Sequence, residues 1–130
     1  MSKPVNALIV DDEPQLRVYL KLVLGELGVR EFWEAADSEA ALESVALHRP
    51  ELVLLNLNLP RLDGLAVLRR MAEIYPEIPV IVATSQNNLQ TVVECRKSGA
   101  LAYVLKQSPR DELRRNLALA IEDLGDVEIV

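Results

Sequence analysis

The sequence predicts an α/β fold, a parallel sheet with helices on both faces. Two observations carry this. Short apolar runs alternate with longer stretches, five times over. Three of those runs are apolar nearly throughout, as strands covered on both faces should be. The runs are Val5 to Val10, Glu31 to Ala35, Leu52 to Leu57, Val80 to Ala83 and Leu101 to Leu105. Between them, apolar residues recur at helical spacing: Leu16, Leu20, Val23, Leu24 and Leu27 in the first stretch, and Leu65, Leu68, Met71 and Tyr75 in the third. The last stretch repeats the pattern with Leu113, Leu117, Ile121 and Leu124. Strict strand–helix alternation implies right-handed crossovers and a doubly wound sheet.

Turn and cap residues agree with these elements. Pro14 and Pro109 stand where a helix begins and a missing N–H costs nothing. Ser38 and Ser108 are candidate N-caps. Gly25 or Gly28 can end the first helix, and Gly99 the fourth. Pro50, Pro76 and Pro79 fall in the approaches to the third and fourth strands.

A chain of 130 residues is the size of one compact domain. We read residues 1–130 as a single unit with its core at about 5–124 and a short tail at 125–130. Half the residues are apolar, enough for a core without a disulfide or structural metal. The net charge of -6 disfavours a nucleic-acid backbone or an anionic membrane as partner, and favours a basic surface or a bound cation. A single cysteine, Cys95, allows no internal disulfide and suits a reducing compartment. No apolar run reaches membrane-spanning length and Met1-Ser2-Lys3-Pro4 does not open a secretion signal, so a soluble cytoplasmic protein is expected.

In doubly wound sheets functional residues gather at the carboxyl ends of the strands. Asp11-Asp12-Glu13 follows the first strand here, Asn56-Leu57-Asn58-Leu59-Pro60 the third, Thr84-Ser85 the fourth and Lys106-Gln107 the fifth. Two adjacent acids at one edge repel each other unless a cation lies between them. Mg²⁺ takes a few carboxylates and keeps several waters. A lysine opposite and a hydroxyl nearby would suit a phosphoryl group.

Four ordered segments then resemble the response-regulator receiver (CheY-like) family, from about Val5 to Leu124. They are Leu8-Ile9-Val10-Asp11-Asp12-Glu13, Glu51 through Gly64, Pro79 through Ser85, and Gly99 through Lys106. The resemblance implies a flavodoxin-like sheet of order 2-1-3-4-5 with five helices. It also assigns roles. Asp11 and Asp12 resemble the acid pair that holds Mg²⁺, helped by the backbone carbonyl of Asn58. Thr84 resembles the hydroxyl that moves toward a phosphoryl group, Lys106 the cation that pairs with the acceptor, and Tyr103 the aromatic that turns inward on activation. Asn56 occupies the phosphoacceptor position, where the family has aspartate.

An amide lone pair is delocalised, so Asn56 should block attack on a kinase phosphohistidine. It also removes one negative charge, and Mg²⁺ that kept the amide oxygen would bind more weakly. Either an introduced substitution or the natural residue of an atypical receiver accounts for the asparagine. Gln107 is a second departure, because the family usually has proline after this lysine, often with a cis bond.

The resemblance implies a non-enzymatic module of a two-component phosphorelay acting by protein–protein contact. Its partners would be a sensor histidine kinase or phosphotransfer protein, and a downstream protein or output domain. A homodimer through the fourth helix, fifth strand and fifth helix is a further implied contact. Leu105 through Leu113 resembles receivers that precede helix-turn-helix output domains, the NarL/FixJ group. Two other readings compete. A Mg²⁺-dependent phosphatase or phosphotransferase would need Asp-x-Asp where this chain has Asn56-Leu57-Asn58, and a flavodoxin-like flavin binder would need a phosphate loop where it has Asp11-Asp12-Glu13. Outside the motifs, His48 reads as a surface residue, Cys95 as an ordinary thiol, and Phe32-Trp33 as packing on an edge strand.

Overall fold

The computed structural model describes residues 3–60, 63–85 and 88–125. Ten elements alternate along the chain: β1 (Asn6–Val10), α1 (Pro14–Glu26), β2 (Glu31–Ala35), α2 (Ser38–His48), β3 (Val53–Leu55), α3 (Gly64–Ile74), β4 (Val80–Thr84), α4 (Leu89–Lys97), β5 (Ala102–Leu105) and α5 (Arg110–Gly125). All pairings are parallel and the sheet order is β2-β1-β3-β4-β5, the expected order.

The two-residue period of the strands divides the core in two. Ala7, Ile9, Leu54, Ile81, Ala83 and Val104 pack with α1 and α5, through Leu20, Leu24, Leu113 and Leu117. Their sequence neighbours Leu8, Val10, Val53, Leu55 and Val82 pack on the opposite face with α2, α3 and α4, through Val45, Leu68, Met71 and Cys95. β1, β3 and β4 are central, and apart from Asn6 at the start of β1 and Thr84 at the end of β4 they are apolar, because helices cover both their faces. β2 is an edge, and the incomplete burial of Glu31 through Glu34 follows from that position.

Several local expectations shift. Gly25 lies within α1, and the turn is made at Gly28, whose φ of 106° favours glycine. Gly99 does the same after α4, at φ 104°. Ser38 is not the cap of α2: Asp37 is, its carboxylate accepting from the Ala40 N–H at 2.8 Å. The carboxylate is the better acceptor for an exposed helix start, while Ser38 is buried and its hydroxyl donates to the Pro60 carbonyl. Ser108 lies one residue further out than a cap, since α5 begins at Arg110 and the Pro109 carbonyl accepts from Leu113. No peptide bond is cis among the described residues, so Lys106–Gln107 is trans. Arg61 and Leu62 of the second motif and tail residues 126–130 lie outside the described residues, as does the Leu124 side chain.

Candidate functional site

At the ends of β1, β3 and β5 the hydrogen bonding runs one residue past the last regular position. The Asp11 N–H donates to the Ala35 carbonyl, the Asn56 N–H to Val10, and the Lys106 N–H to Thr84, all at 2.9–3.0 Å. Asp11, Asn56 and Lys106 are thereby fixed directly after β1, β3 and β5, and Thr84 is the last residue of β4. These are the buried polar residues of the sheet's carboxyl edge, with Ser38 the one other buried polar group among the described residues.

Lys106 and Asp11 form a buried ion pair, Nζ to Oδ2 at 3.0 Å. The second Asp11 oxygen accepts the Glu13 N–H at 2.9 Å, so both oxygens of this carboxylate are engaged. Its carbonyl is held as well: Arg17 on α1 donates Nη1 to it at 2.6 Å. Arg17 Nε and Lys21 Nζ both reach Glu34 on β2, at 2.8 and 2.9 Å. Hydrogen bonds from Lys21 and then Arg17 hold the Glu34 carboxyl below the usual glutamate range.

Asn56 is 3% exposed. Its Nδ2 donates to the Asn58 carbonyl at 2.9 Å and to Asp12 Oδ1 at 3.4 Å, while its Oδ1 accepts the Asn58 N–H at 3.4 Å. The amide orientation follows from these partners: turned over, the oxygen would face two other oxygens. Behind it, α3 begins in direct backbone contact. The Gly64 N–H donates to the Leu57 carbonyl at 2.7 Å, and a Cβ on Gly64 would lie 2.4 Å from the Asn56 carbonyl oxygen. Asp63 caps this helix through the Ala66 N–H.

The carboxylates of Asp11, Asp12 and Glu13 lie within 4.8 Å of one another, a spacing suited to a hard divalent cation. The remaining donors do not fit one as they stand. Asp11 is committed to Lys106 and the loop, and Asp12 Oδ1 and the Asn58 carbonyl face the N–H₂ of Asn56. For the Asn56 oxygen to ligate a metal, the amide would have to turn over and give up these bonds.

Thr84 is fully buried at the end of β4, and its carbonyl ties β4 to the start of the Lys106 loop. Tyr103 pairs with Val82 in the sheet and packs half-buried on the α2–α3–α4 face, its hydroxyl pushed up in pKa by burial and then by the neighbouring Cys95. Cys95 is itself buried, and burial pushes its thiol up, which fits an unreactive core group. His48 is exposed and stacks on Trp33, ring centroids 4.5 Å apart. Three participants escaped the sequence reading. Arg17 and Glu34 are 17 positions apart and meet only because β2 pairs with β1. Gly64 closed a recognised motif, but its need for a bare backbone shows only in the packing.

The site and fold define a receiver module of the response-regulator class. A family model, the response regulator receiver domain, matches residues 7–118, and the chain belongs to that family. It is 38% identical over 107 residues to sporulation initiation phosphotransferase F of Bacillus subtilis (strain 168), covering 82% of this chain and 86% of that protein. Transcriptional regulatory protein PdtaR of Mycobacterium tuberculosis (strain ATCC 25618 / H37Rv) is 31% identical over 124 residues, or 95% of this chain. The chain spans 60% of PdtaR's length and 53% of a Pseudomonas aeruginosa putative transcriptional regulator. Among solved structures, the receiver domain of NtrX from Brucella abortus superposes with a TM-score of 0.79 at 33% identity, covering 89% of this chain and 98% of that one. A CheY-like receiver from Methanospirillum hungatei JF-1 shares the fold, with a TM-score of 0.81 at 24% identity and coverage of 93% and 96%.

Proposed function

We propose that this chain is a receiver module of a two-component phosphorelay that does not itself take a phosphoryl group and signals by protein–protein contact. The observation that carries the reading is Asn56. A buried primary amide, its N–H₂ already donated to Asn58 and Asp12, stands where a carboxylate nucleophile would attack phosphorus. Lys106 and Thr84 keep the positions of groups that would face a phosphoryl oxygen. The pocket is built around an acceptor that cannot be charged. Tyr103, half-buried on β5, is the proposed aromatic switch.

The rest of the reading follows from membership and surface. A sensor histidine kinase or phosphotransfer protein is the upstream partner, and a downstream protein or output domain the reader. The α4–β5–α5 face, where Val93, Leu101 and Leu119 are exposed around a groove lined by Cys95, Tyr103 and Asn116, is the surface for the reader or a second copy. Residues of about 5–124 form the receiver unit, and the chain acts without catalysis of its own, in the cytoplasm. No helix among the described residues is long and apolar enough to cross a membrane. Mg²⁺ at Asp11, Asp12 and the Asn58 carbonyl, with or without the amide oxygen of Asn56, is a weakened feature here. The phosphatase reading lacks a carboxylate in Asn56-Leu57-Asn58, and the flavin reading would set a phosphate against three acids.

The test compares the chain with Asn56→Asp, each given a small-molecule phosphodonor and Mg²⁺, by intact mass. The variant should gain one phosphoryl group and the chain none. Equal gain by the unmodified chain refutes the account of Asn56, and no gain by the variant refutes the pocket.

A further inference from the structure

The Asn56 side chain does more than lack a nucleophile. Its Nδ2 carries two hydrogens, and both point at oxygens that would otherwise face a cation: Asp12 Oδ1 at 3.4 Å and the Asn58 carbonyl at 2.9 Å. An N–H₂ group is a donor only, with partial positive charge at its hydrogens. It therefore offers these two oxygens a small part of what a divalent ion would offer in full. The third side of the cluster is served by Lys106, whose ammonium takes Asp11 Oδ2. Buried side-chain polar atoms all have partners among the described residues, so the pocket's hydrogen bonding is satisfied from within.

We infer that the Asn56 amide is an internal stand-in for the divalent cation, competing with Mg²⁺ for Asp12 and the Asn58 carbonyl. This rests on reading Asp11, Asp12 and Asn58 as the cation-facing set, and it adds a direction to that reading. Loss of a negative charge alone makes Asn56 a poorer ligand. Competition makes it an antagonist, because Mg²⁺ enters only after the amide turns over and its hydrogen bonds are given up. Until Mg²⁺ is concentrated enough to displace the amide, the ends of β1 and β3 keep the geometry set by these two hydrogen bonds.

The discriminating variant is Asn56→Ala, which is as neutral as asparagine but leaves Asp12 and Asn58 without the donor. Mg²⁺ binding is measured by calorimetry on the unmodified chain, Asn56→Ala and Asn56→Asp, with the melting temperature of each followed as Mg²⁺ is added. The expected order places Asn56→Asp tightest, Asn56→Ala next, and the unmodified chain weakest. The alanine variant should exceed the unmodified chain by roughly three- to tenfold, the weight of the one or two hydrogen bonds given up. Equal or weaker binding by Asn56→Ala overturns the inference, because it would mean that the amide is a bystander or a ligand. No binding by Asn56→Asp overturns instead the cation-site reading beneath it. Should the alanine variant fail to fold, the unmodified chain labelled with ¹⁵N gives the answer. The Asn56 side-chain amide signals should move together with the Asp12 and Asn58 backbone signals as Mg²⁺ is added, and Mg²⁺ binding that moves those backbone signals but leaves the side-chain pair in place would refute the stand-in.

Discussion

The Lys106–Asp11 pair is the part of the pocket whose energetics can be worked furthest. Replacing Lys106 by methionine keeps most of the side-chain volume and removes the charge. What remains is Asp11, 1% exposed, with Oδ2 unpaired and Oδ1 still accepting the Glu13 N–H at 2.9 Å. Breaking a buried pair by removing one partner costs on the order of 3–5 kcal/mol. Two features place this case at the lower end. The surviving Glu13 bond retains part of the carboxylate's solvation, and Asp12 and Glu13 beside it are exposed, so water can reach the freed oxygen. We expect a loss of about 3 kcal/mol, a large share of the roughly 5–15 kcal/mol that holds a domain of this kind.

The double variant Asp11→Asn with Lys106→Met should recover most of that loss. The asparagine side chain in place of Asp11 would keep an oxygen for the Glu13 N–H and carry no charge, and a neutral replacement of a buried pair is often isoenergetic with it. Equilibrium urea unfolding checks both, followed by far-ultraviolet circular dichroism and by the fluorescence of Trp33, the single tryptophan of the chain. The slope of the transition should stay constant while its midpoint moves. The pair is too buried for salt to screen it, so the same difference should appear in high salt. The reasoning is refuted if the single variant loses less than about 1 kcal/mol, or if the double variant is no more stable than the single.

Two further outcomes follow from the same geometry. Gly64→Ala places a methyl group 2.4 Å from the Asn56 carbonyl oxygen and 2.5 Å from the Leu57 Cα, both backbone atoms that cannot step aside. It should cost about 3 kcal/mol by chemical denaturation, and a loss below about 1 kcal/mol would show that α3 shifts freely against the β3 end. Glu34 is held below its usual range by Lys21 and then Arg17, so its ion pairs stabilise the fold above the unfolded-chain glutamate range and lose effect as pH falls through the lower folded value. Its side chain is 37% exposed, which limits the effect of Glu34→Gln at neutral pH to roughly 0.5–1 kcal/mol. That difference should fade as the medium is acidified, and a deficit that persists unchanged in acid would assign it to something other than charge.

How far the sequence reached depended on whether a feature was local. Strand runs and helix faces are written in short-range periodicity, and the order β2-β1-β3-β4-β5 came from the family resemblance carried by motifs at the ends of β1, β3, β4 and β5. The acids, Asn56, Thr84 and Lys106 were legible for the same reason, each standing directly after an apolar run. Cap identity was less so. Asp37 and Ser38 both carry a suitable oxygen, and only the burial of Ser38 against the Pro60 loop decides between them. The Arg17–Glu34–Lys21 network needs β2 beside β1 before it exists at all.

The direction of the Asn56 amide was hidden for a different reason. An asparagine can present an oxygen or a nitrogen to the same neighbour, and composition does not distinguish them. The decision comes from the backbone around it. The chain turns after β3 so that the Asn58 carbonyl faces back toward position 56, and Asp12 approaches across the β1 end. Two acceptors leave the nitrogen as the favourable choice. A carboxylate at position 56 would meet those same two acceptors without a proton to share, and would need a cation between them. The loop geometry that makes a metal useful to an aspartate is therefore the geometry in which an asparagine meets both acceptors with its own N–H₂ group.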